Sequence, residues 1–315
     1  MKKLTVKKVV ILFILLLVSI AFGCAAPAPT PVPVPAPAPV PAPAPPSTPT
    51  PVPAPAPAPT PAPQPSPAPT TEPGEFPDKN LEKAIRDALE KPEGEILEED
   101  LAGITELDAS LEFIADLSGI EYCTNLTELD LQVNDISDIS PLAYLTNLES
   151  LNLYQNQISD VSLLADLTKL TRLYLSRNQI SDLSPLASLT NLNSLMLEGN
   201  QINDVSPLAY LINLDAIRLS WNQISDVSPL ASLTNLTHLR LNDNQISDIS
   251  PLAYLINLKW LYLHYNQISD ISPLVENSGL SGDLKLADNN LDLSEGSEDL
   301  ENIRILEARG VRVDY

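Results

Sequence analysis

The sequence predicts an α/β repeat solenoid, with a parallel β-sheet on its concave face, short helical or 3₁₀ turns on its convex face, and a helical N-terminal cap. Two observations lead to this prediction. Leucines recur in one pattern, as at Leu148, Leu151 and Leu153. An asparagine recurs with a spacing of 22 residues, at Asn134, Asn156, Asn178, Asn200, Asn222, Asn244 and Asn266. A fixed period of this size indicates repeats that bury their apolar faces only against their neighbours.

Each repeat begins with a predicted strand. Leu129 and Leu131 alternate with polar residues, which is the period of a strand with one buried face. The next strand lies one repeat away and runs in the same direction, so the sheet is expected to be parallel. Asn134 follows at the turn, and we expect its amide to satisfy backbone groups that the turn leaves open.

A short helical or 3₁₀ turn is predicted over residues 141–145. Ile136 and Ile139 return to the core before it, and Ser140-Pro141 matches a helix start with serine as the N-cap and proline at the first helical position. Proline recurs 22 residues apart at 185, 207, 229, 251 and 273, and Leu163 breaks this pattern, so we expect a less sharp start there.

The solenoid is assigned to residues 104–290, with nine turns of chain. Residues 104–125 are a degenerate first repeat in which Ala109 and Cys123 replace leucines, and Leu284 to Asn289 are a shifted last repeat. We interpret Cys123 as a small buried apolar residue, with a reactive thiol as the alternative.

Both ends are predicted to carry caps that protect the sheet edges. Residues 75–103 form the helical N-terminal cap. It contains an amphipathic helix, which Pro92 and Gly94 end, with apolar residues at helical spacing: Leu81, Ala84, Ile85, Ala88 and Leu89. Residues 291–315 form the C-terminal cap, with a final strand at 311–313 and a short helix that contains Leu300, Ile303, Ile305 and Leu306.

The repeat Leu-x-x-Leu-x-Leu-x-x-Asn-x-Ile-Ser-Asp resembles the leucine-rich repeat of the bacterial internalin family. The segment from Phe76-Pro77-Asp78 to Leu107 resembles the helical N-terminal cap of that family, and together the two similarities cover about residues 75–290. The resemblance implies display at the cell surface and binding of a protein ligand, but it does not name the ligand.

The N-terminus resembles a lipoprotein export signal. Lysines precede an apolar run from Val9 to Phe22, and Gly23-Cys24 follows it. We predict a signal peptide over residues 1–24 with lipidation of Cys24, although Ala21 and Phe22 depart from the usual lipobox. A cleaved soluble form and an uncleaved anchor are the alternatives. The protein is therefore expected to be exported and to lie at the cell surface or envelope, anchored in the membrane through its N-terminus.

Residues 25–74 are rich in proline and alanine and are predicted to form a disordered linker. Segment 27–73 holds 23 prolines in 47 residues, which favours extended polyproline II structure. It would either hold the domain away from the membrane as a stalk or act as a passive linker; a ligand for proline-binding modules is a third possibility.

The remaining chain is strongly acidic. Residues 75–315 hold 40 acidic and 14 basic residues, a net charge of −26. Nucleic acids and anionic membrane surfaces are poor partners for such a domain, so only the N-terminal lipid is expected to contact membrane. We expect a monomer.

Aromatic and cationic side chains concentrate on the predicted concave face. They lie six, four, two or one positions before a recurring asparagine: Tyr154, Tyr174, Arg218, Trp221, His238, Arg240, Trp260, Tyr262, His264 and Tyr265. Tryptophan, tyrosine and arginine dominate binding hot spots, so we predict that these residues contact a protein ligand. A glycan-binding module and a non-binding spacer whose face carries ordinary strand residues are the alternatives.

A column of aspartates follows the asparagines, at Asp138, Asp160, Asp182, Asp204, Asp226, Asp248 and Asp270. These carboxylates could bind Ca²⁺ between turns, but capping of backbone amides in each loop is the favoured interpretation. We predict no metal and no cofactor. No nucleophile motif, metal-ligand spacing or phosphate loop is present in the sequence, so we predict that the protein is not an enzyme.

Overall fold

The computed structural model describes residues 72–315. The predicted signal peptide, Cys24 and residues 25–71 of the predicted linker lie outside the described residues. Within the described part, no helix is both long enough and apolar enough to cross a membrane.

The described chain forms one sheet of ten parallel strands in sequence order, which confirms the predicted solenoid class. Leu129 pairs with Leu151, and Leu151 with Leu173, so neighbouring strands are 22 residues apart. Because each strand has three residues, only its central side chain is fully buried. The strands are β1 (Glu106–Asp108), β2 (Glu128–Asp130), β3 (Ser150–Asn152), β4 (Arg172–Tyr174), β5 (Ser194–Met196), β6 (Ala216–Arg218), β7 (His238–Arg240), β8 (Trp260–Tyr262), β9 (Asp283–Lys285) and β10 (Arg312–Asp314).

The opposite side of the described solenoid is made of short turns. Seven are 3₁₀ turns: Ile120–Tyr122, Ser140–Tyr144, Ser162–Asp166, Ser184–Ser188, Ser206–Tyr210, Ser228–Ser232 and Ser250–Tyr254. The turn that lacks proline at Leu163 has the same five-residue length as its neighbours, so the expected blunter start there was wrong. Asp160 precedes this turn at the position where an aspartate precedes the neighbouring turns, and this shared residue explains why the turns have the same length.

The aspartate column caps these turns. The Ser140 N–H donates to Asp138 Oδ1 at 2.8 Å, and the Ser162 N–H donates to Asp160 Oδ1 at the same distance. The five following repeats have the equivalent bond. The capping interpretation is confirmed, but the assignment of serine as N-cap was wrong, because serine is the first residue of the turn and receives the cap from two residues earlier.

The core is a continuous stack of leucines and isoleucines, one layer for each repeat. Leu151, Leu153 and Ile158 are fully buried, and the corresponding positions of the neighbouring repeats are buried as well. Cys123 lies in this stack with no exposed surface. Burial raises the pKa of its thiol to about 12, so the structure favours a buried apolar role over a reactive thiol.

The recurring asparagines form the predicted ladder. The Asn178 amide nitrogen donates to the Leu175 carbonyl in its own repeat at 3.0 Å and to the Leu153 carbonyl in the preceding repeat at 2.9 Å. Its side-chain oxygen accepts the Ile158 N–H at 3.0 Å. Asn289 makes the equivalent bonds at the shifted last repeat. Each asparagine therefore joins two repeats through buried backbone groups, and we call this set the asparagine ladder.

A second row of side-chain amides, which the sequence analysis did not single out, runs along the exposed turns. Asn191 Nδ2 donates to the Thr168 carbonyl at 2.8 Å, and Asn213 Nδ2 donates to the Thr190 carbonyl at 2.9 Å. Lys169 replaces the asparagine in one repeat, and its ammonium donates to Asn147 Oδ1 at 2.7 Å. These bonds also connect successive repeats, but they lie in contact with solvent.

Two helices cover the N-terminal end of the sheet. Helix α1 (Lys79–Leu89) packs against β1, and α2 (Glu98–Ala102) follows it. Helix α1 begins at Asp78, whose carboxylate accepts the Asn80 and Leu81 N–H groups. It ends at Leu89, before the predicted stop signals Pro92 and Gly94, and Glu90 caps it in a left-handed conformation. Ala88 is exposed rather than part of the buried face.

The C-terminal end has a helix and a final strand, as predicted. Helix α3 (Ser272–Glu276) replaces the last 3₁₀ turn, and α4 (Glu298–Ala308) packs against α3 and β10. The extra residue of this repeat is accommodated at two glycines. A Cβ at Gly279 would lie 1.8 Å from the Ile256 carbonyl oxygen, and one at Gly282 would lie 2.2 Å from the Lys259 carbonyl oxygen, so both positions require glycine.

We expect Asn178→Ala to lower the free energy of unfolding by roughly 2–4 kcal/mol, because it leaves the Ile158 N–H and two carbonyls without their buried partner. Asn191→Ala is the matched control, since it removes one exposed bond and is expected to lower the free energy by less than about 1 kcal/mol. Urea unfolding followed by circular dichroism measures both values. Equal losses would contradict the dependence of the fold on the buried ladder.

Candidate functional site

The sheet face that points away from the core is the predicted concave face of the solenoid, and we call it the outer face of the sheet. It consists of the side chains six, four and two positions before each asparagine of the ladder. Leucines at the alternate positions point into the core, so this face is what the fold leaves free. Eight of the ten predicted contact residues lie on it and are half-buried. The other two, Trp221 and Tyr265, lie one position before an asparagine and are 54% and 53% exposed.

Strands β5 to β8 together form an open pocket of about 290 Å³ on this face. We call it the arginine pocket, and its lining residues are Met196, Ala216, Arg218, His238, Arg240, Trp260 and Tyr262. It contains five of the ten predicted contact residues, which come from three consecutive strands. The parallel register places them side by side because equivalent positions of neighbouring strands are paired.

Ring contacts order the aromatic part of the pocket. The His238 and Trp260 rings stack with their centroids 4.0 Å apart and an angle of 17° between their planes. The Arg240 guanidinium lies 5.0 Å from the Tyr262 ring centroid, and the Lys285 ammonium lies 5.3 Å from the same centroid. Tyr262 is therefore flanked by cations from the strands on both of its sides, which restricts the mobility of all three side chains.

His238 is oriented by a relay from the neighbouring repeat. The Thr237 hydroxyl donates to Asp215 Oδ1 at 2.6 Å and lies 2.7 Å from His238 Nδ1. Since the hydroxyl proton is used toward Asp215, the threonine oxygen accepts a hydrogen bond from Nδ1–H, and neutral His238 keeps Nε2 as an acceptor. Burial lowers the pKa of His238, and the Asp215 carboxylate opposes this effect.

Two neighbouring arginines share a single carboxylate. Arg218 and Arg240 are register partners on β6 and β7. Arg218 Nη1 lies 4.0 Å from Glu198 Oε2, and Arg240 Nη1 lies 3.9 Å from Glu198 Oε1. Both distances are at the outer limit of an ion pair, and the two cations exceed the one anion, so this part of an acidic domain has a local positive charge.

Trp221 and Tyr265 belong to a row of strained positions at one edge of the outer face. Their φ angles are 55° and 56°, and the equivalent residues of other repeats are also left-handed, with Gly199 as the unstrained example. Because this conformation recurs whatever the residue, it belongs to the turn before each asparagine, and the feature particular to Trp221 and Tyr265 is a large exposed aromatic side chain. Asp288 raises the pKa of Tyr265 through its negative charge and a hydrogen bond. His264 lies beside Tyr265, with 5.5 Å between the ring centroids.

Two predicted contact residues lie apart from the arginine pocket. Tyr174 pairs with Met196 in the register, so it continues the same row of side chains toward the N-terminus. Tyr154 lies one repeat earlier, and the Arg177 guanidinium is 5.9 Å from its ring centroid. The structure thus gives one pocket, one exposed edge and an extension, rather than a single cluster of ten residues.

Four residues that shape the pocket were not among the predicted contacts. Met196 and Ala216 line it, Glu198 pairs with its arginines, and Lys285 flanks Tyr262. Lys285 lies four positions before Asn289, which is the offset of Arg218 and Arg240 from their asparagines, so the repeat pattern contained a signal for it. Among the described residues, no group of three or more histidine, cysteine, aspartate or glutamate side chains could hold a metal ion.

Comparisons with known proteins agree with the repeat architecture. A family model described as leucine-rich repeats (2 copies) matches residues 124–166, 146–188, 168–210 and 212–254, and a single leucine-rich repeat model matches residues 257–277. A comparison with curated proteins found no match.

Solved structures are more informative. The chain is 42% identical to internalin C2 from Listeria monocytogenes, with 69% of this chain and 94% of that chain covered and a TM-score of 0.64. It is 33% identical to the Listeria monocytogenes internalin InlF, with 76% and 89% covered and a TM-score of 0.50. A Leptospira interrogans leucine-rich repeat protein, at 22% identity, has a TM-score of 0.53 over 64% of this chain and 57% of its own, which shows a similar fold alone.

We expect His238 to titrate below pH 6.5, because burial disfavours its charged form. The unfolded chain then binds a proton more readily than the folded chain, so the contribution of His238 to stability is complete above pH 6.5 and is lost as the pH falls through its folded pKa. Two-bond ¹H–¹⁵N NMR spectra of a His264→Gln variant measure this one residue. Asp215→Asn should lower the midpoint further, and a midpoint at or above 6.5 would contradict the assignment.

Proposed function

The chain belongs to the internalin family of leucine-rich repeat proteins, and from this premise we propose that it binds a protein ligand through the outer face of its sheet. The observation that carries the proposal is the arginine pocket. It brings arginine, tryptophan and tyrosine together on a domain that is otherwise strongly acidic. These residue types bury large areas at low entropic cost and account for most of the energy in protein interfaces.

The exposed edge supports the same proposal. Trp221 and Tyr265 keep more than half of their surface in contact with solvent, and both occupy backbone positions where glycine is the unstrained residue. A protein that retains large aromatic side chains at strained, exposed positions gains nothing for its own core. Contact with a ligand is the use that we assign to them, with the half-buried pocket beside them.

A glycan ligand is the second candidate, because stacked aromatic rings also bind sugars. The ring contacts argue against it. His238 covers one face of Trp260, and cations flank Tyr262 on both sides, so less ring surface is left for stacking on a sugar than two free rings would offer. A non-binding spacer would have no use for the strained aromatic residues. No catalytic role is proposed.

We expect the combined change of Trp221, Trp260 and Tyr262 to alanine to abolish retention of the ligand in affinity capture from envelope and growth-medium extracts. The matched control is the combined change of Ile212, Tyr254 and Ile256 to alanine, which removes apolar side chains that are 43–55% exposed on the turn side. Both variants must keep the wild-type circular dichroism spectrum and urea midpoint.

The control is expected to retain the ligand at the wild-type level. Equal loss in both variants would assign the interaction to general surface stickiness, and loss in neither would place the binding site elsewhere. Selective binding on a glycan array that depends on Trp260 and Tyr262 would identify the ligand as a carbohydrate rather than a protein.

We further propose that the domain is displayed outside the cell on a lipid anchor. The support is the sequence of residues 1–74, in which the predicted export signal ends at Gly23-Cys24 and a proline-rich segment follows. The lipid would hold the chain at the membrane, and the linker would carry the acidic domain away from a surface of like charge.

Cys24→Ser is expected to release the protein from the membrane fraction and to prevent incorporation of a clickable fatty acid, because the lipid would have no thiol to join. Cys123→Ser is the matched control, since that thiol is buried in the core, and it should leave both measurements unchanged. Membrane retention of Cys24→Ser would point to an uncleaved anchor, and a wild-type protein found only in the medium would point to a cleaved soluble form.

A further inference from the structure

The guanidinium groups of Arg218 and Arg240 differ from most others in the structure. Neither donates a hydrogen bond to any residue within 72–315, and their only ionic partner there is Glu198 at 3.9–4.0 Å. By contrast, Arg172 donates to Glu128 at 2.9 Å and to Ser150 at 3.2 Å, and Arg304 makes two bonds to Glu295. Two adjacent guanidinium groups with unused donors are therefore a specific property of the arginine pocket.

The arrangement of these groups opposes the stability of the free protein. Arg218 and Arg240 occupy paired positions on adjacent strands, where like charges repel each other. A single carboxylate is shared between them, so one positive charge remains without compensation. An anion that entered the pocket would relieve the repulsion and use donors that are otherwise directed to solvent.

The surroundings of the arginines restrict what this anion can be. Arg240 is packed against Tyr262, so its planar group is held in place before the ligand arrives. Met196, Ala216 and Trp260 provide apolar surface in the same pocket. A planar carboxylate can accept two parallel bonds from a guanidinium group, and an apolar neighbour of that carboxylate would pack against the methionine and tryptophan.

We propose that the arginine pocket binds the carboxylate of an aspartate or glutamate side chain of a protein ligand, next to an apolar or aromatic residue of the same segment. The proposal rests on the proposed function and names the chemistry that the ligand presents to this pocket. Glu198 occupies part of the place of that carboxylate in the free protein. When the ligand binds, its carboxylate contacts the two arginines directly and replaces Glu198, which lies 3.9–4.0 Å from them, as their main anionic partner.

The test uses the full chain and an array of 15-residue peptides that contain glutamate or aspartate beside leucine, phenylalanine or tyrosine. Each peptide is paired with an isosteric member that carries glutamine or asparagine in place of the acid. Fluorescence polarisation measures the dissociation constants of the retained pairs. We expect the acidic member to bind about tenfold more tightly than its amide partner, and the difference to decrease as salt screens the charges.

Two variants with opposite expected effects on binding of the acidic peptide make the test specific. Combined Arg218→Gln and Arg240→Gln should remove the preference for the acidic member, whereas Glu198→Gln should strengthen binding of that member, because it removes the internal competitor. Arg172→Gln is the matched control on the same face, where the arginine is already paired with Glu128. It should leave the preference unchanged.

The proposal is overturned if no peptide pair shows the preference, if Arg172→Gln removes it equally, or if Glu198→Gln weakens binding. Tighter binding of a uronic-acid oligosaccharide than of every peptide would identify the ligand of the pocket as an acidic glycan rather than a protein segment. Competition by inorganic phosphate at similar concentration would reduce the pocket to a general anion site. If the arginine variants leave the captured ligand bound while the aromatic variant releases it, the proposed function stands and this inference fails.

Discussion

The asparagine ladder is the constraint on which the rest of the structure depends. Each asparagine accepts a backbone N–H from one repeat and donates to carbonyls of two repeats, so it satisfies buried polar groups at the turn and fixes the position of the next strand. Leucine burial supplies the driving force, but burial is not directional. The ladder supplies the direction, and the 22-residue register of the sheet follows from it.

The sequence was sufficient for the features that repeat. The strands, the ladder and the capping aspartates each appear at seven or more equivalent positions, so the same residue types at the same spacing identify each of them along the chain. The mistakes fall where local rules compete. Serine before proline suggested an N-cap, but the aspartate two residues earlier provides that cap. The regular apolar spacing placed Ala88 on the buried face of α1, but it lies in the last turn of the helix and is exposed.

The candidate site could be predicted only in part, for a physical reason. The repeat pattern identifies which side chains leave the core, and this placed Arg218, Arg240 and Trp260 on one face. It does not give their rotamers, so the stacking of His238 on Trp260 and the relay from Asp215 through Thr237 required coordinates. Lys285 keeps its offset from Asn289, but the one-residue shift near Gly282 breaks the 22-residue step from Tyr262, so its place beside that ring required coordinates.

The constant register has a consequence for how such a surface can vary. Because every strand is joined to its neighbours in the same way, the distance between two groups on the outer face changes only in steps of one strand spacing, about 4.8 Å. Insertion of one whole repeat between β4 and β5 would move Tyr174 relative to the arginine pocket by one such step and leave the contacts within each repeat intact. The solenoid therefore works as a ruler, on which recognition elements are set at discrete separations by repeat number and in chemical character by single substitutions.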